Sequence, residues 1–133
     1  MEQTLVLVKP GAVRRKFVGE IISRFETKGF NIVAMRMLTM TPEMVDEHYK
    51  EHVEKYFFPR LKEYTLSGPL VAIVLESENV AEIVRNMLGC ADATKAKPGT
   101  LRGDFSCQSG PDNAVHASDC VVSAKREIEL FFG

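Results

Sequence analysis

Apolar runs alternate with amphipathic stretches along the chain, and their spacing predicts strands and helices in turn. Thr4–Val8 and Pro69–Leu75 are short, unbroken apolar runs rich in β-branched residues, which is the pattern of buried strands. Asn31–Met40, rich in Ile, Val and Met, and Asn113–Ala117 predict two more strands. The pattern therefore predicts four strands, which we expect to form one sheet.

Between these strands, apolar residues recur at the spacing of helices. Apolar residues recur at i, i+3, i+4 and i+7 from Val18 to Phe25, and Gly29 follows as a left-handed cap, so a helix is predicted over 18–28. Lys9-Pro10-Gly11 reads as a turn. The other predicted helical segments are one announced by Thr41-Pro42-Glu43, a short turn at Leu61–Leu66, one from Asn79, with Glu82 as its capping-box partner, to Gly89, and a last one with Val121, Ala124, Ile128 and Phe131 facing inward.

The order of these elements predicts the fold class. Two β-α-β halves favour an α+β fold, a ferredoxin-like sandwich with helices on one face of a four-stranded antiparallel sheet (βαββαβ). With 133 residues and 45% hydrophobic content, the chain is expected to form a single domain over 1–133. Gly89–Asp112 lacks clear periodicity, and so long an irregular segment in a compact domain is usually functional or disordered.

Charge and cysteine content exclude several classes of function. Seventeen basic and eighteen acidic residues leave a formal charge of -1, so general binding to nucleic acid or to a membrane surface is not expected. Cys90, Cys107 and Cys120 lack metal-type spacing and are expected to be small buried residues. No signal-peptide pattern is seen, and no apolar run approaches the ~20 residues that cross a bilayer. We expect a cytoplasmic protein that does not enter a membrane.

His116 is the first candidate for chemistry. It lies in a short apolar stretch just ahead of Ser118 and Asp119, which form a helix-start signal. Because a helix N-terminus attracts anions, a phosphate beside His116 is one hypothesis, and a strand histidine without chemistry is the other. Neither of the usual Gly-rich phosphate loops is present. Side chains must then supply the positive charge, and the candidate cations are Lys9, Arg85 and Arg102.

Two other clusters have competing interpretations. His48, Glu51 and His52 match H-x-x-E-H, in which two histidines one turn apart bind zinc. Since no third ligand is indicated, a surface amphipathic helix with two incidental histidines is favoured. Tyr56-Phe57-Phe58 either stacks on a planar ligand or packs into the core.

Several short motifs occur in a fixed order along the chain. The two most specific are Pro98–Phe105, which reads P-G-T-L-R-G-D-F, and Asn113–Asp119, which reads N-A-V-H-A-S-D. The others are Lys9-Pro10, His48-Tyr49, Phe57-Phe58-Pro59, Ser67-Gly68-Pro69 and Arg85. Taken together, they resemble the nucleoside diphosphate kinase family over essentially the whole chain.

This resemblance implies an activity and a set of roles. It implies ping-pong transfer of the γ-phosphate of a nucleoside triphosphate to a nucleoside diphosphate through phospho-His116, with low base selectivity. Mg²⁺ would be held mainly by the nucleotide phosphates rather than directly by the protein, no nucleic acid would be required, and the chain would form a homo-oligomer, a hexamer or a tetramer. The implied supporting residues are Lys9, Tyr49, Ser118 and Glu127, and the implied nucleotide contacts are Lys9, Phe57, Arg85, Ala91, Arg102 and Asn113.

The chain departs from the family pattern near the implied site. Where the family usually has Lys-Pro-Asp-Gly, this chain has K-P-G-A at Lys9–Ala12. Where the family has a glycine after the histidine, this chain has Ala117. Ala91 stands in the place of a phosphate-binding threonine, which removes one hydroxyl contact. One residue is also inserted around Pro111-Asp112. These departures motivate an alternative, a nucleotide-binding regulatory relative with impaired phosphotransfer.

Overall fold

A computed structural model describes residues 1–106 and 111–133 of the chain. The strands are β1 (Glu2–Val8), β2 (Asn31–Leu38), β3 (Leu70–Ser77) and β4 (Val115–Ala117). The helices are α1 (Pro10–Arg14), α2 (Val18–Thr27), α3 (Pro42–His48), α4 (Phe58–Thr65), α5 (Val80–Leu88), α6 (Leu101–Phe105) and α7 (Val121–Phe132), with a 3-10 turn at Lys50–His52. Within these ranges, no helix combines the length and the apolar character needed to span a membrane.

The four strands form one antiparallel sheet in the order β2-β3-β1-β4, which confirms the predicted α+β fold. Strand β1 lies inside the sheet, and its second half, Leu5–Val8, is entirely apolar because both of its faces are covered there. Val6 and Val8 belong to one buried cluster, while Leu5 and Leu7 belong to the other. The expectation that helices cover one face is therefore wrong, since a strand without a polar side needs cover on both.

Each face of the sheet has its own set of helices. Helices α2, α5 and α6 supply buried residues to the Val6 face, and α3, α4 and α7 supply them to the Leu5 face. Val115 and Ala117 join the first cluster. Because side chains alternate along a strand, His116 between them points toward the face covered by α3 and α7.

Local signals in the sequence account for several of the helix boundaries. Gly29 follows α2 with φ +99°, as expected of a left-handed cap. Thr41 Oγ1 accepts from the N–H of Met44 at the start of α3. Lys9-Pro10-Gly11 is not a simple turn, because Pro10 begins the short helix α1, where the missing N–H costs nothing. The irregular segment after Gly89 contains the five-residue helix α6, too short to show periodicity.

The predicted helix start at Ser118 and Asp119 is wrong. Helix α7 begins at Val121, and its cap is Cys120, whose backbone N–H donates to Ser123 Oγ at 3.1 Å. Ser118 is instead fully buried, and its hydroxyl donates to the Glu127 carboxylate rather than capping a helix. The anion-attracting helix N-terminus therefore lies farther from the histidine than expected.

Three smaller expectations also fail. Asn79 precedes α5 in a left-handed conformation, φ +53°, and its side chain makes no cap hydrogen bond. Val121 is exposed because it occupies the first position of α7, although the rest of the predicted face packs inward. Cys90 and Cys120 are exposed free thiols rather than buried residues, and Cys107 lies outside the described residues.

Candidate active site

His116 is held at the centre of a short strand and is oriented by a buried carboxylate. It pairs with Leu7 of β1 across the sheet. Its Nε2 lies 2.9 Å from Glu127 Oε1, and Ser118 Oγ donates to the same oxygen at 2.9 Å. Glu127 is 5% exposed and belongs to the inward face of α7. If Nε2 carries the proton, the lone pair is on Nδ1, so the imidazole is arranged as a nucleophile.

Lys9 emerges from the end of β1 into the same region. It is 8% exposed, and its Nζ donates to Asn113 Oδ1 at 2.7 Å and to Pro111 O at 3.2 Å. Burial and the charge of Arg102 lower the pKa of Lys9 to about 7, against a smaller raising effect of Asp112. A bound anion would favour the charged ammonium, which suits Lys9 to contacting a negatively charged ligand.

His48 forms one wall of the site. Its ring centroid lies 4.8 Å from that of His116, 4.5 Å from that of Tyr49 and 5.4 Å from that of Phe131. It is 4% exposed, so the expectation of a surface helix with two incidental histidines is wrong for this residue. Arg126 on α7 donates to the His48 carbonyl at 3.3 Å and so ties the end of α3 to α7.

The buried position of His48 predicts an acid-sensitive stability. Burial foremost, and then the nearby cations, lower the pKa of His48 from 6.5 to about 2, so the folded chain keeps it neutral. The unfolded chain binds this proton below pH 6.5, so stability falls as the pH drops. From pH 7 to pH 5, the unmodified protein should lose about 2 kcal/mol more unfolding free energy than His48→Gln.

Urea denaturation at a fixed protein concentration checks this expectation. Parallel pH dependences for the two proteins would contradict it.

Tyr49 caps the C-terminal end of α3 beside the histidines. Its ring centroid is 6.3 Å from that of His116. Burial, and then the charge of Glu127, raise the pKa of Tyr49 above its usual range, so its phenol stays protonated near neutral pH. The hydroxyl is therefore a hydrogen-bond donor and not a general base.

A cleft of about 770 Å³ opens beside His116, within the size range of small-ligand sites. Asn113 links two of its walls, because its Nδ2 donates to Ala91 O at 3.0 Å while its Oδ1 accepts from Lys9. Phe57 is 37% exposed at this cleft. The predicted site residues that line it are Lys9, Tyr49, Phe57, Ala91, Asn113 and His116.

Arg60 and Asp92 also line this cleft and were not anticipated. Arg60 lies three residues after Phe57, and this spacing could have placed both residues on one side of the chain entering α4. Asp92 belongs to the irregular segment, where no local pattern was available.

The two predicted phosphate-binding arginines, Arg85 and Arg102, are not among the residues that line this cleft. Arg102 is buried and donates through Nε and Nη2 to Val115 O, at 3.3 and 3.0 Å, and through Nη1 to Gly89 O at 3.2 Å. Arg85 Nη1 lies 3.3 Å from Asp119 Oδ1. Burial and the charge of Arg85 lower the pKa of Arg102 to about 10, which leaves it charged near neutral pH.

The H-x-x-E-H interpretation is not supported by the geometry. Helix α3 ends at His48, Tyr49 leaves the helical conformation, and His52 belongs to the 3-10 turn, so the motif does not share one helix face. Among the described residues, the side chains grouped closely enough to hold a metal are His48, His116 and Glu127, with ligand atoms within 4.8 Å of one another. Two imidazoles and one carboxylate do not suit Mg²⁺, which prefers oxygen ligands.

Comparison with known proteins gives one consistent result. The family profile described as nucleoside diphosphate kinase matches residues 2–133. The chain is similar to a nucleoside diphosphate kinase of Rhodopirellula baltica, at 53% identity over 132 residues, which is 99% of this chain and 86% of the relative.

Solved structures agree. The Aquifex aeolicus nucleoside diphosphate kinase has a TM-score of 0.95 at 41% identity, covering 99% of this chain and 95% of that one. The Halobacterium salinarum nucleoside diphosphate kinase, solved in complex with CDP, has a TM-score of 0.95 at 41% identity, covering 98% of this chain and 87% of that one.

Proposed function

The chain belongs to the nucleoside diphosphate kinase family, a family of phosphotransferases, and we propose that His116 is the nucleophile through which it acts. The observation that carries this proposal is the 2.9 Å contact between His116 Nε2 and the buried Glu127 carboxylate, with Nδ1 as the other ring nitrogen beside the cleft. Covalent catalysis by an imidazole splits one phosphoryl transfer into two easier steps. The substrates are a nucleoside triphosphate and a nucleoside diphosphate.

In the first step, the Nδ1 lone pair of His116 attacks the γ-phosphorus. The N–P bond forms, the P–O bond to the β-phosphate breaks, and the nucleoside diphosphate leaves with that electron pair. The ring keeps its Nε2 proton, and the positive charge that develops on the ring is offset by Glu127 across the 2.9 Å contact. A second nucleoside diphosphate then takes the phosphoryl group by the reverse step, which restores the free imidazole.

The cations of the site have complementary tasks in this scheme. Phosphoryl transfer requires chiefly alignment and neutralisation of charge. A guanidinium has about five N–H donors, and Arg102 uses three of them on main-chain carbonyls, so two remain for phosphate oxygens. Arg85 gives up its ion pair with the exposed Asp119 carboxylate and contacts a phosphate oxygen of the nucleotide instead. Mg²⁺ accompanies the nucleotide as part of the substrate and neutralises phosphate charge.

The nucleoside half of the substrate fits the outer part of the cleft. Phe57 offers an exposed aromatic face on which a base stacks, and stacking discriminates poorly among bases. Lys9 and Asn113, already bonded to each other at 2.7 Å, present polar groups to the sugar and phosphates. The Ala91 side chain is a methyl group without a hydroxyl, so nucleotide binding lacks one hydrogen bond, a loss of about 0.5–1.5 kcal/mol.

The test is labelling by [γ-³²P]ATP in the absence of an acceptor. The protein should acquire one acid-labile, base-stable phosphoryl group, and added GDP should remove it with formation of labelled GTP. An unlabelled protein, or label that GDP does not discharge, would contradict the proposal and favour a regulatory nucleotide-binding protein.

We also propose that the chain acts as a homo-oligomer, a hexamer or a tetramer, in which the outer edge of β2 contacts a second copy. Strand β2 is at the edge of the sheet, and three of its apolar side chains are half exposed. They are Val33, Met35 and Met37, at 50%, 52% and 58%. Exposed apolar side chains on an edge strand favour association.

Sedimentation should therefore show an assembly for the unmodified protein and a smaller species for Met35→Lys/Met37→Lys. Val122→Lys is the matched control and should keep the assembly, because Val122 lies near the start of α7 rather than on β2 and is 79% exposed. A monomeric unmodified protein, or an assembly that the double variant retains, would contradict this contact.

We propose further that residues 1–133 act as one domain in a reducing, cytoplasmic compartment. Both apolar clusters are built on the same sheet, which supports one folding unit. The free thiols of Cys90 and Cys120 are typical of a reducing environment.

A further inference from the structure

The segment just before the histidine strand is held by a continuous set of hydrogen bonds. Each of the four residues Pro111–Ala114 accepts a bond from the stretch between Lys9 and Arg15. This arrangement, the 111–114 clasp, sets the direction of the chain as it enters β4. Its bonds are Lys9 Nζ to Pro111 O (3.2 Å) and to Asn113 Oδ1 (2.7 Å), the Lys9 backbone N–H to Ala114 O (2.9 Å), and Arg15 Nη2 to Asp112 Oδ1 (2.9 Å).

Asp112 supplies the carboxylate of this clasp. Its Oδ1 accepts from Arg15 Nη2 and, at 3.0 Å, from the hydroxyl of Tyr64 on α4. The Tyr64 oxygen in turn accepts from the backbone N–H of Gly11 at 2.9 Å, in the first turn of α1. The Arg15 and Asp112 side chains are each 25% exposed, so the ion pair is partly shielded from solvent. One carboxylate thus connects α1, α4 and the clasp.

The clasp also holds a strained residue. Ala114 has φ +69°, a left-handed conformation that is uncommon for a residue with a side chain. Such a conformation persists where neighbouring bonds enforce it. Asn113 and Val115 flank this residue, and the Val115 N–H donates to Asn113 O at 2.8 Å. Loss of the clasp would let Ala114 relax and would move Asn113 away from Lys9.

Position 11 and the Asp112 carboxylate occupy the same space. A Cβ built on Gly11 would lie 2.5 Å from Asp112 Oδ1 and 2.7 Å from the Tyr64 hydroxyl oxygen. A side chain at position 11 is therefore incompatible with the present place of the carboxylate. The motif resemblance implies Lys-Pro-Asp-Gly at this place, and this chain has Gly11 where that pattern has its aspartate. A side chain at position 11 would start 2.5 Å from the present Asp112 Oδ1, so its carboxylate would lie next to the place that the Asp112 carboxylate now occupies.

We propose that Asp112 is a positioning residue, whose carboxylate fills the place of an aspartate at position 11 and holds Asn113 and Lys9 toward the nucleotide. This inference rests on the proposed function, because Lys9 and Asn113 act on a nucleotide only if the cleft binds one. Asp112 does not itself contact the nucleotide in this scheme and acts on it through Lys9 and Asn113. Its loss should therefore affect nucleotide use much more than the reactivity of the imidazole.

The decisive experiment moves the carboxylate between the two positions. Asp112→Ala should lower kcat/KM with nucleotides by at least about tenfold, mainly through KM, because two binding groups lose their support. Gly11→Asp/Asp112→Ala should recover kcat/KM to within about threefold of the unmodified protein. Gly11→Asp alone should be poorer than the double variant, since two carboxylates would share one site. Asp46→Asn, which removes a 2.7 Å ion pair with Lys62, is the matched control and should stay within about twofold.

Phosphoramidate separates positioning from general damage to the fold, because it phosphorylates an imidazole without any nucleoside. Its rate of His116 phosphorylation should differ by less than about twofold between Asp112→Ala and the unmodified protein. Equal losses with phosphoramidate and with nucleotides would overturn the inference, as would a double variant no better than Asp112→Ala. If Asp112→Ala does not fold, Asp112→Asn replaces it, and full nucleotide activity in that variant would overturn the inference. An unmodified protein that neither ATP nor phosphoramidate labels would instead refute the proposed function.

Discussion

Replacing His116 with alanine is expected to lower kcat for transfer between ATP and a nucleoside diphosphate by at least about 10⁴-fold. The loss is large because removing the nucleophile leaves no covalent route, and no second group takes its place. His48 is the nearest imidazole, with ring centroids 4.8 Å apart, but it is buried behind His116, and Lys9 is bonded to Asn113. The measurement is steady-state transfer together with labelling by [γ-³²P]ATP, which should fall to background.

Nucleotide binding provides the control for this variant. The affinity for ADP should stay within about threefold of that of the unmodified protein, because the imidazole is not among the main binding groups. A His116→Ala protein that binds ADP yet keeps its label, or keeps more than about a tenth of its kcat, would show that His116 is not the phosphate acceptor.

The second large effect is expected from Glu127→Gln. The change keeps the size of a side chain that is 5% exposed, but it removes the charge opposite His116 Nε2. Without that charge, the positive ring formed on phosphorylation is less stabilised, and the amide no longer selects the tautomer with its lone pair on Nδ1. We expect kcat to fall by about 10²-fold, with KM for nucleotides changed by less than about threefold.

Ser118→Ala is the matched control for this prediction. Among the residues that the structure describes, the Ser118 hydroxyl contacts Glu127 Oε1 at 2.9 Å rather than the imidazole, so its loss removes one donor and leaves the charge. Its kcat should fall by less than about tenfold. Equal effects of the two substitutions, or a Glu127→Gln protein with unchanged kcat, would show that the carboxylate does not assist the imidazole. Rapid-quench measurement of the first phosphoryl transfer distinguishes this step from product release.

Features that depend on near neighbours in the sequence were predictable. The helix over 18–28 follows from the spacing of Ile21 and Phe25 and from the cap at Gly29, and α2 occupies nearly that range. The short strand around His116 was predictable from its β-branched and small neighbours. Helix α6 and the start of α7 were not. Five residues do not show a period, and the Ser118 hydroxyl that was expected to cap α7 donates to a buried acceptor instead.

Features that depend on contacts across the fold were not predictable from local pattern. The local pattern predicts a surface helix around His48, and His48 is buried because the end of α3 packs against α7. Asp112 appeared only as a neighbour of an insertion, and its role became visible through Arg15 and Tyr64, which are distant in sequence. The motif resemblance did name His116 and Glu127 together, although nothing in their spacing showed that they touch.

The sequence by itself determined the four strands, the main helices, the family and the histidine, because periodicity, caps and motifs are carried by residues close together in the chain. Only the tertiary structure decided which groups meet at that histidine. The pairing of β4 with β1 and the packing of α7 bring Glu127 to Nε2, and the 111–114 clasp brings Asn113 to Lys9. Such distances depend on how packed elements close on one another, and this is a property of the folded core rather than of any single segment.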